Sequence, residues 1–375
     1  MLIIAATLAI LVYGLIAPML GALLPSYSLT PDQSGSLTMI NALGLVIASL
    51  SAGPVIDKTG NKPALLAGLF LVTASLFAAP NAGGYDGLLV VYFVLGLGGG
   101  IVVTGANALV GAIEPTRRGS ALNFLNLFFG LGGILTTYAA SHLFTPVVLC
   151  YSVAALTLLA LIVNSAAKMP GPVGVSSFNV AEVSNLISTP ALILLSAFLF
   201  LYVACEVGIW NWLNTYLQHE KGFTPSSAGS VVSYGFAFGI LVGRIVVSRI
   251  LVKVPALTVT LASAVLIALT TFLMLRLDSQ IALTIAVFCT GLSCAPVFPT
   301  TLAIVGDTFR RGTATAMGIA ITCGWIGLAV SSVVIGSIAR NSGLNAALLL
   351  LPAFAVLMIV VSLVLRSTAR RPVTV

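Results

Sequence analysis

From one end to the other the chain alternates long apolar stretches with short polar punctuation. Crossing a bilayer as a helix takes about 20 apolar residues. On that criterion the pattern predicts helices at 2–24, 36–54, 63–80, 87–112, 119–142, 146–166, 189–217, 226–250, 255–275, 281–305, 313–339 and 345–366. The first run is broken by Pro18 and lacks a basic leading segment and a convincing small-residue cleavage site, so it reads as a spanning helix and not as a signal peptide. The longest polar connection, 167–188, holds Pro170, Gly171, Pro172, Gly174 and the pair Ser176–Ser177. It separates a six-helix half at 1–166 from a second at 189–375.

Two segments recur between the halves. Leu29-Thr30-Pro31-Asp32-Gln33-Ser34-Gly35-Ser36 matches Phe223-Thr224-Pro225-Ser226-Ser227-Ala228-Gly229-Ser230 at an offset of 194. Glu114-Pro115-Thr116-Arg117-Arg118-Gly119-Ser120-Ala121 matches Asp307-Thr308-Phe309-Arg310-Arg311-Gly312-Thr313-Ala314 at an offset of 193. One register shared by two distant segments is the mark of a duplicated unit. With six helices in each unit the halves have the same topology, the parallel-repeat plan of transporters whose substrate site lies between halves near the bilayer midplane. The fold expected is an all-α membrane protein of about twelve helices in two pseudo-symmetric halves.

The composition is that of a chain surrounded by lipid. Of 375 residues 59% are hydrophobic and 7% charged, against roughly 25% charged in soluble domains. The net charge of +7 does not indicate nucleic acid, because the basic residues fall singly or in pairs between apolar runs. It orients the chain instead. With the N-terminus inside, the inner connections hold Lys58, Lys62, Arg117, Arg118, Lys168, Arg244, Arg249, Lys253, Arg310, Arg311, Arg366, Arg370 and Arg371, and the outer ones only Lys221, Arg276 and Arg340. That asymmetry implies a multi-pass protein of the inner (plasma) membrane with both termini cytoplasmic. The five cysteines lie in apolar runs without metal-ligand spacing and read as small core residues. No metal, cofactor or enzymatic nucleophile–base pair is indicated, and a monomer is expected.

Gly53-Pro54-Val55-Ile56-Asp57-Lys58-Thr59-Gly60-Asn61-Lys62 resembles the major facilitator signature G-x-x-x-D-[RK]-x-G-[RK]-[RK], departing from it at Asn61. Ala295-Pro296-Val297-Phe298-Pro299-Thr300, Gly105-Ala106-Asn107, and Leu201-Tyr202-Val203-Ala204-Cys205-Glu206 with Trp212 and Tyr216 are similar to the fucose–galactose–glucose permease branch. The resemblance implies alternating access, a small neutral substrate of the monosaccharide kind, and a cytoplasmic latch formed by Asp57 with Arg117 or Arg118. Asp57 would also sit near the N-terminus of the eleventh helix, where the helix dipole favours negative charge. Two departures bear on coupling. The branch's helix-four carboxylate is replaced by Val103, and Asn126 stands where its helix-five histidine would be.

Of the nine acids, Glu206 alone lies well inside an apolar run. A carboxylate at such a depth costs roughly 2.5–3.5 kcal/mol and normally faces a cavity or a partner. It is the candidate proton or sodium site and a direct acceptor for substrate hydroxyls, the plainer reading being a structural carboxylate bonded to a neighbouring helix. Tyr202 and Trp210 stand four residues to either side, on the same helical face. Asn107, Asn123 and Asn126 supply paired donors and acceptors suited to a polyol, or interhelical bonds. Trp325 and Thr322 complete the expected site. The rival functions are a multidrug or metabolite efflux antiporter and an uncoupled or sodium-coupled sugar carrier. An organic-anion exchanger is disfavoured because no Lys or Arg lies mid-helix, Arg244 being the nearest exception.

Overall fold

The computed structural model describes residues 1–19, 23–171 and 180–369. The segment 172–179, which holds Pro172, Gly174 and the Ser176–Ser177 pair of the expected connection, lies outside the described residues, as do Arg370 and Arg371.

Twelve long helices account for most of the described chain: α1 Leu2–Ile16, α2 Pro31–Thr59, α3 Asn61–Ala78, α4 Tyr85–Ile113, α5 Arg118–His142, α6 Pro146–Ala166, α7 Pro190–His219, α8 Pro225–Ile250, α9 Ala256–Arg276, α10 Gln280–Thr308, α11 Thr313–Ser342 and α12 Leu344–Ser367. All but α1 are long and apolar enough to cross a membrane. The predicted first helix ran to residue 24, whereas α1 stops at Ile16. Pro18 has no amide hydrogen and its ring crowds the carbonyl four residues back, which disfavours continuing the helix there, although α2 runs on through Pro54. The longest polar connection, 167–188, contains a short helix, Val180–Ile187.

The duplicated segments explain two of the helix starts. Thr30 caps α2 by accepting from the Gln33 amide at 3.3 Å while Gln33 Oε1 accepts from the Thr30 amide at 3.1 Å, and Pro31 opens the helix. Thr224 does the same for α8, accepting from the Ser227 amide at 3.2 Å, with Pro225 as the opening residue. The signature glycine Gly60 has φ +86°, a conformation that side-chain-bearing residues rarely adopt, and it turns the chain sharply from α2 into α3.

Three of these helices depart from regular geometry: α12 is interrupted at Leu349, near the far end, and α8 and α10 depart nearer the middle of the bundle. In α8 the segment Val231–Ala237 is π-helical, a local widening often met at functional sites. In α10 the ladder breaks at Ala295-Pro296, between Gln280–Cys294 and Val297–Thr308.

Large apolar side chains cover the outside; Ile281 is 77% and Phe70 59% exposed, which fits lipid and not water as the surrounding solvent. The ends of the bundle differ. One carries Lys58, Lys62, Arg117, Arg118, Lys168, Arg249, Lys253, Arg310, Arg311 and Arg366 and is called here the basic end. At the opposite, far end Lys221 bonds Asp278 at 2.8 Å, and that ammonium holds the exposed carboxyl below its ordinary range.

The first six and the last six helices meet along two seams, α2 with α11 and α5 with α8, the second extended by the inner part of α10. Bonds across the seams run from the middle of the bundle to the basic end. They join Asp57 to Ala314 and Thr315, Ser49 to Trp325, Arg118 to Asp307, Ser120 to Ser248, Asn123 to Thr300 and Asn126 to Arg244. Toward the far end the seam helices present exposed side chains, with Met39 on α2, Tyr234 on α8 and Val333 on α11 at 71%, 75% and 71%. The bundle is closed at the basic end and parted at the far end.

Candidate functional site

Halfway along α7, Glu206 is half-buried, with Tyr202 one turn toward the basic end and Trp210 one turn toward the far end. Tyr202 is fully buried, and its hydroxyl lies beside the carboxylate without an aligned hydrogen bond. The Trp210 indole also presents its polar edge to Glu206. Its ring stands edge-on to Phe236 of the π-helical segment, 5.1 Å between centroids. The expected grouping of Glu206, Tyr202 and Trp210 is therefore present in space.

Arg244 on α8 is the residue that the charge count misassigned. It is buried, 3% exposed, and is not a connection charge. Its guanidinium donates to the main-chain carbonyl of Asn126, lies 5.7 Å from the centre of the Phe129 ring, and leaves Nε without a partner. It is near enough for its charge to act on both Glu206 and Tyr202. The ion pairs among the described residues are Arg118–Asp307 and Lys221–Asp278, so Arg244 and Glu206 face each other without touching. Gly130 permits the approach, since a methyl group there would come within 3.3 Å of the guanidinium.

Phe129 stacks on Tyr13 of α1 at 5.3 Å, and Tyr13 meets Trp325 of α11 edge-on at 6.3 Å. Trp325 donates to Ser49 at 3.2 Å. The three rings and Arg244 form one contiguous aromatic and cationic cluster, joined to Glu206 through Arg244. Tyr13 and Phe129 were not singled out in the sequence, and Arg244 was noted only as the nearest exception to the lack of a mid-helix cation. An arginine flanked by the apolar run Val-Gly-Arg-Ile-Val-Val was the available signal for one of them; the rings carried none.

Of the two roles open to the three amides, bonding within the protein is the one this arrangement displays. Asn107, Asn123 and Asn126 are 0%, 0% and 2% exposed. Asn126 donates to Asn107 Oδ1 at 2.9 Å and to the Leu122 carbonyl at 2.9 Å, and Asn107 donates to the Val103 carbonyl at 2.8 Å. Asn123 donates to Thr300 at 3.0 Å across the seam and to the Gly119 carbonyl at 2.9 Å, leaving its Oδ1 unpaired. In a low-dielectric interior an unmade hydrogen bond is costly, so these amides spend their donors on protein and serve packing in this arrangement. Thr322 likewise faces the Val46 carbonyl, at 3.5 Å, within the α2–α11 seam.

At the basic end Asp57 accepts from the Ala314 amide at 3.2 Å, the Thr315 amide at 2.9 Å and the Thr315 hydroxyl at 2.6 Å. The expected seat at the start of α11 is found; the expected arginine partners are not. Arg118 instead bonds Asp307 and, at 2.7 Å, the Gly111 carbonyl, and Arg117 is exposed. Gly312, at φ +66°, turns the chain so that the first α11 amides point at the carboxylate, and those amides supply what the arginines were expected to give.

The model of the Major Facilitator Superfamily matches residues 2–289 and 199–374, and the chain belongs to that superfamily of transporters. It is 23% identical over 329 residues, 84% of this chain and 82% of the other, to the uncharacterized MFS-type transporter YfkL of Bacillus subtilis. Its fold is similar to that of the E. coli fucose:proton symporter FucP, with TM-score 0.83, 18% identity, and 97% and 98% of the two chains covered. It is also similar to that of the human organic anion transporter MFSD10, with TM-score 0.80, 16% identity, and 96% and 97% covered. The chain is thus a multi-pass, all-helical secondary transporter and not an enzyme.

Proposed function

We propose that this transporter carries a small polyhydroxylated solute of monosaccharide size by alternating access, with Glu206 as both hydroxyl acceptor and coupling site. The observation that carries the reading is the half-buried Glu206 between Tyr202 and Trp210, with Arg244 opposite and out of contact. An aromatic ring suits the C–H face of a sugar, and a carboxylate and a guanidinium held apart can bond its hydroxyls from two sides. The fold likeness to a fucose:proton symporter agrees with this reading. The positive-inside rule makes the basic end cytoplasmic, so the arrangement is open to the outside, with 1–166 and 189–375 as the two rocking halves and both termini inside. Asp57 then acts as the cytoplasmic latch.

One observation favours a second reading. The unpartnered Nε of buried Arg244 would suit a carboxylate on the solute, as in an organic acid. Uptake into proteoliposomes of labelled monosaccharides and of labelled monocarboxylates, with and without an imposed pH gradient, separates the two. Concentrative sugar uptake driven by inward acid supports the first. Uptake of the acid alone overturns it.

A further inference from the structure

The start of α5 and the start of α11 are equivalent by the internal repeat, yet they end differently. At α11 the turn residue Gly312 lies against Asp57, whose carboxylate takes the first free amides. At α5 the equivalent Gly119 lies against Leu251, 194 residues after Asp57. No side chain caps α5, and its first turn has no acid. The positive end of that helix is thus left without the anion its twin possesses.

Beside it is a groove of about 330 Å³ between α1, α4, α5 and α8 at the basic end. Its apolar wall includes Ile3, Ile113 and Phe124; its rim carries Arg117, Arg249 and Glu114. Ile3 and Phe124 are each 49% exposed on the outer surface of the bundle. Both arginines are exposed, and neither is in an ion pair among the described residues. Arginines at headgroup depth above an apolar wall that faces the acyl chains match one occupant of mixed character.

We propose that this groove binds an anionic phospholipid of the leaflet at the basic end. The phosphate lies between Arg117 and Arg249 at the open start of α5, and an acyl chain lies along Phe124 and Ile3. Glu114 sets a limit: it opposes a doubly charged headgroup and favours a singly charged one such as phosphatidylglycerol. The groove's walls are the α5–α8 seam itself, closed here by the Ser120 hydroxyl on the Ser248 carbonyl. Opening the basic end would draw Arg117 and Arg249 apart, so the bound lipid favours the closed seam.

The test counts lipids retained by the detergent-purified full chain in native mass spectrometry, with phosphatidylglycerol against phosphatidylcholine. The expected result is preferential retention of phosphatidylglycerol, reduced about fivefold by each of Arg117→Gln and Arg249→Gln. Arg117→Lys with Arg249→Lys should keep the preference, which separates lost charge from lost fold. Phe124→Ser should weaken both lipids alike. An unchanged preference in the double glutamine variant overturns the proposal. So does displacement of the lipid by millimolar glycerol phosphate, which would make the site one for a free phosphate ester.

Discussion

Arg244 donates its guanidinium hydrogen to the carbonyl of Asn126, so a single buried charge fastens α8 to α5 directly below the Glu206 cluster. The same charge is felt by Glu206, which puts the seam and the intramembrane carboxylate under one control. A hydrogen bond to a charged group contributes about 1.5–3 kcal/mol. Arg244→Met should therefore depopulate the closed α5–α8 seam by roughly ten- to a hundredfold. Arg244→Lys should restore only part of it, because an ammonium cannot fork between the Asn126 carbonyl and the space facing Glu206. Spin labels at the basic ends of α5 and α8 would read longer distances in the methionine variant; unaltered distances would remove Arg244 from the gate.

Asp57 ties the other seam, and by main-chain amides. Asp57→Asn keeps one acceptor oxygen but points an amide group at a helix start that favours negative charge. The closed arrangement should lose about 1.5–3 kcal/mol, and labels on α2 and α11 at the basic end should move apart while substrate affinity measured at the far side stays within a few fold. In detergent free of anionic lipid, Arg117→Gln should leave those distances unaffected, since Arg117 is exposed and the Asp57 oxygens are filled by α11. A shift as large as that of Asp57→Asn would restore the arginine latch that the sequence suggested.

Much of the architecture was legible in the sequence because lipid imposes one rule on every span: bury the backbone bonds in a helix and keep the outside apolar. That rule reads α3, α6 and α9 to within a few residues, and fails at α1, where Pro18 ends the helix inside an apolar run. The site was legible only where chemistry and depth disagree, as at Glu206. Arg244 was hidden by the positive-inside count, which assigns any arginine near a helix end to the neighbouring connection. For Asn107, Asn123 and Asn126 the sequence leaves two roles open, since an amide looks alike in sequence whether it faces a ligand or another helix. Asp57 was placed correctly at α11, but two of its three bonds come from amides, which every residue but proline possesses and no sequence motif announces.

Glycines on the seams separate folding from gating. A methyl group on Gly318 would collide with the Ser49 carbonyl across the α2–α11 seam, whereas one on Gly132 would lie 2.6 Å from the Leu11 carbonyl, inside the first six helices. Gly132→Ala strains a contact that every conformation retains, and overpacking of this kind costs about 1–3 kcal/mol. It should lower the thermal midpoint without changing the balance of states. Gly318→Ala strains only the closed arrangement, so its midpoint should stay close to that of the parent while the α2–α11 labels move apart. Equal loss of thermal stability in both variants would mean that the α2–α11 contact does not open during the cycle.

The last prediction concerns coupling. Val103 removes the acid that the branch carries in its first half, and Glu206 is the one acid well inside an apolar run of the sequence. If protons drive uptake, Glu206→Gln should abolish accumulation against a gradient while leaving counterflow exchange, because the neutral amide fixes the site in one charge state. Substrate affinity of the parent, measured from pH 5 to 9, should follow a single ionisation, absent in the glutamine variant and indifferent to sodium. Tyr202→Phe offers a control. It removes a hydroxyl that lies beside the carboxylate without an aligned bond, so it should shift the midpoint of that ionisation without removing it. A requirement for sodium in place of acid would make Glu206 a cation ligand, and downhill uptake indifferent to both ions would make the chain a facilitator. Two ionisations that survive Glu206→Gln would move coupling away from α7 altogether, and the acids at the basic end, Asp57 and Asp307, would be the next to replace.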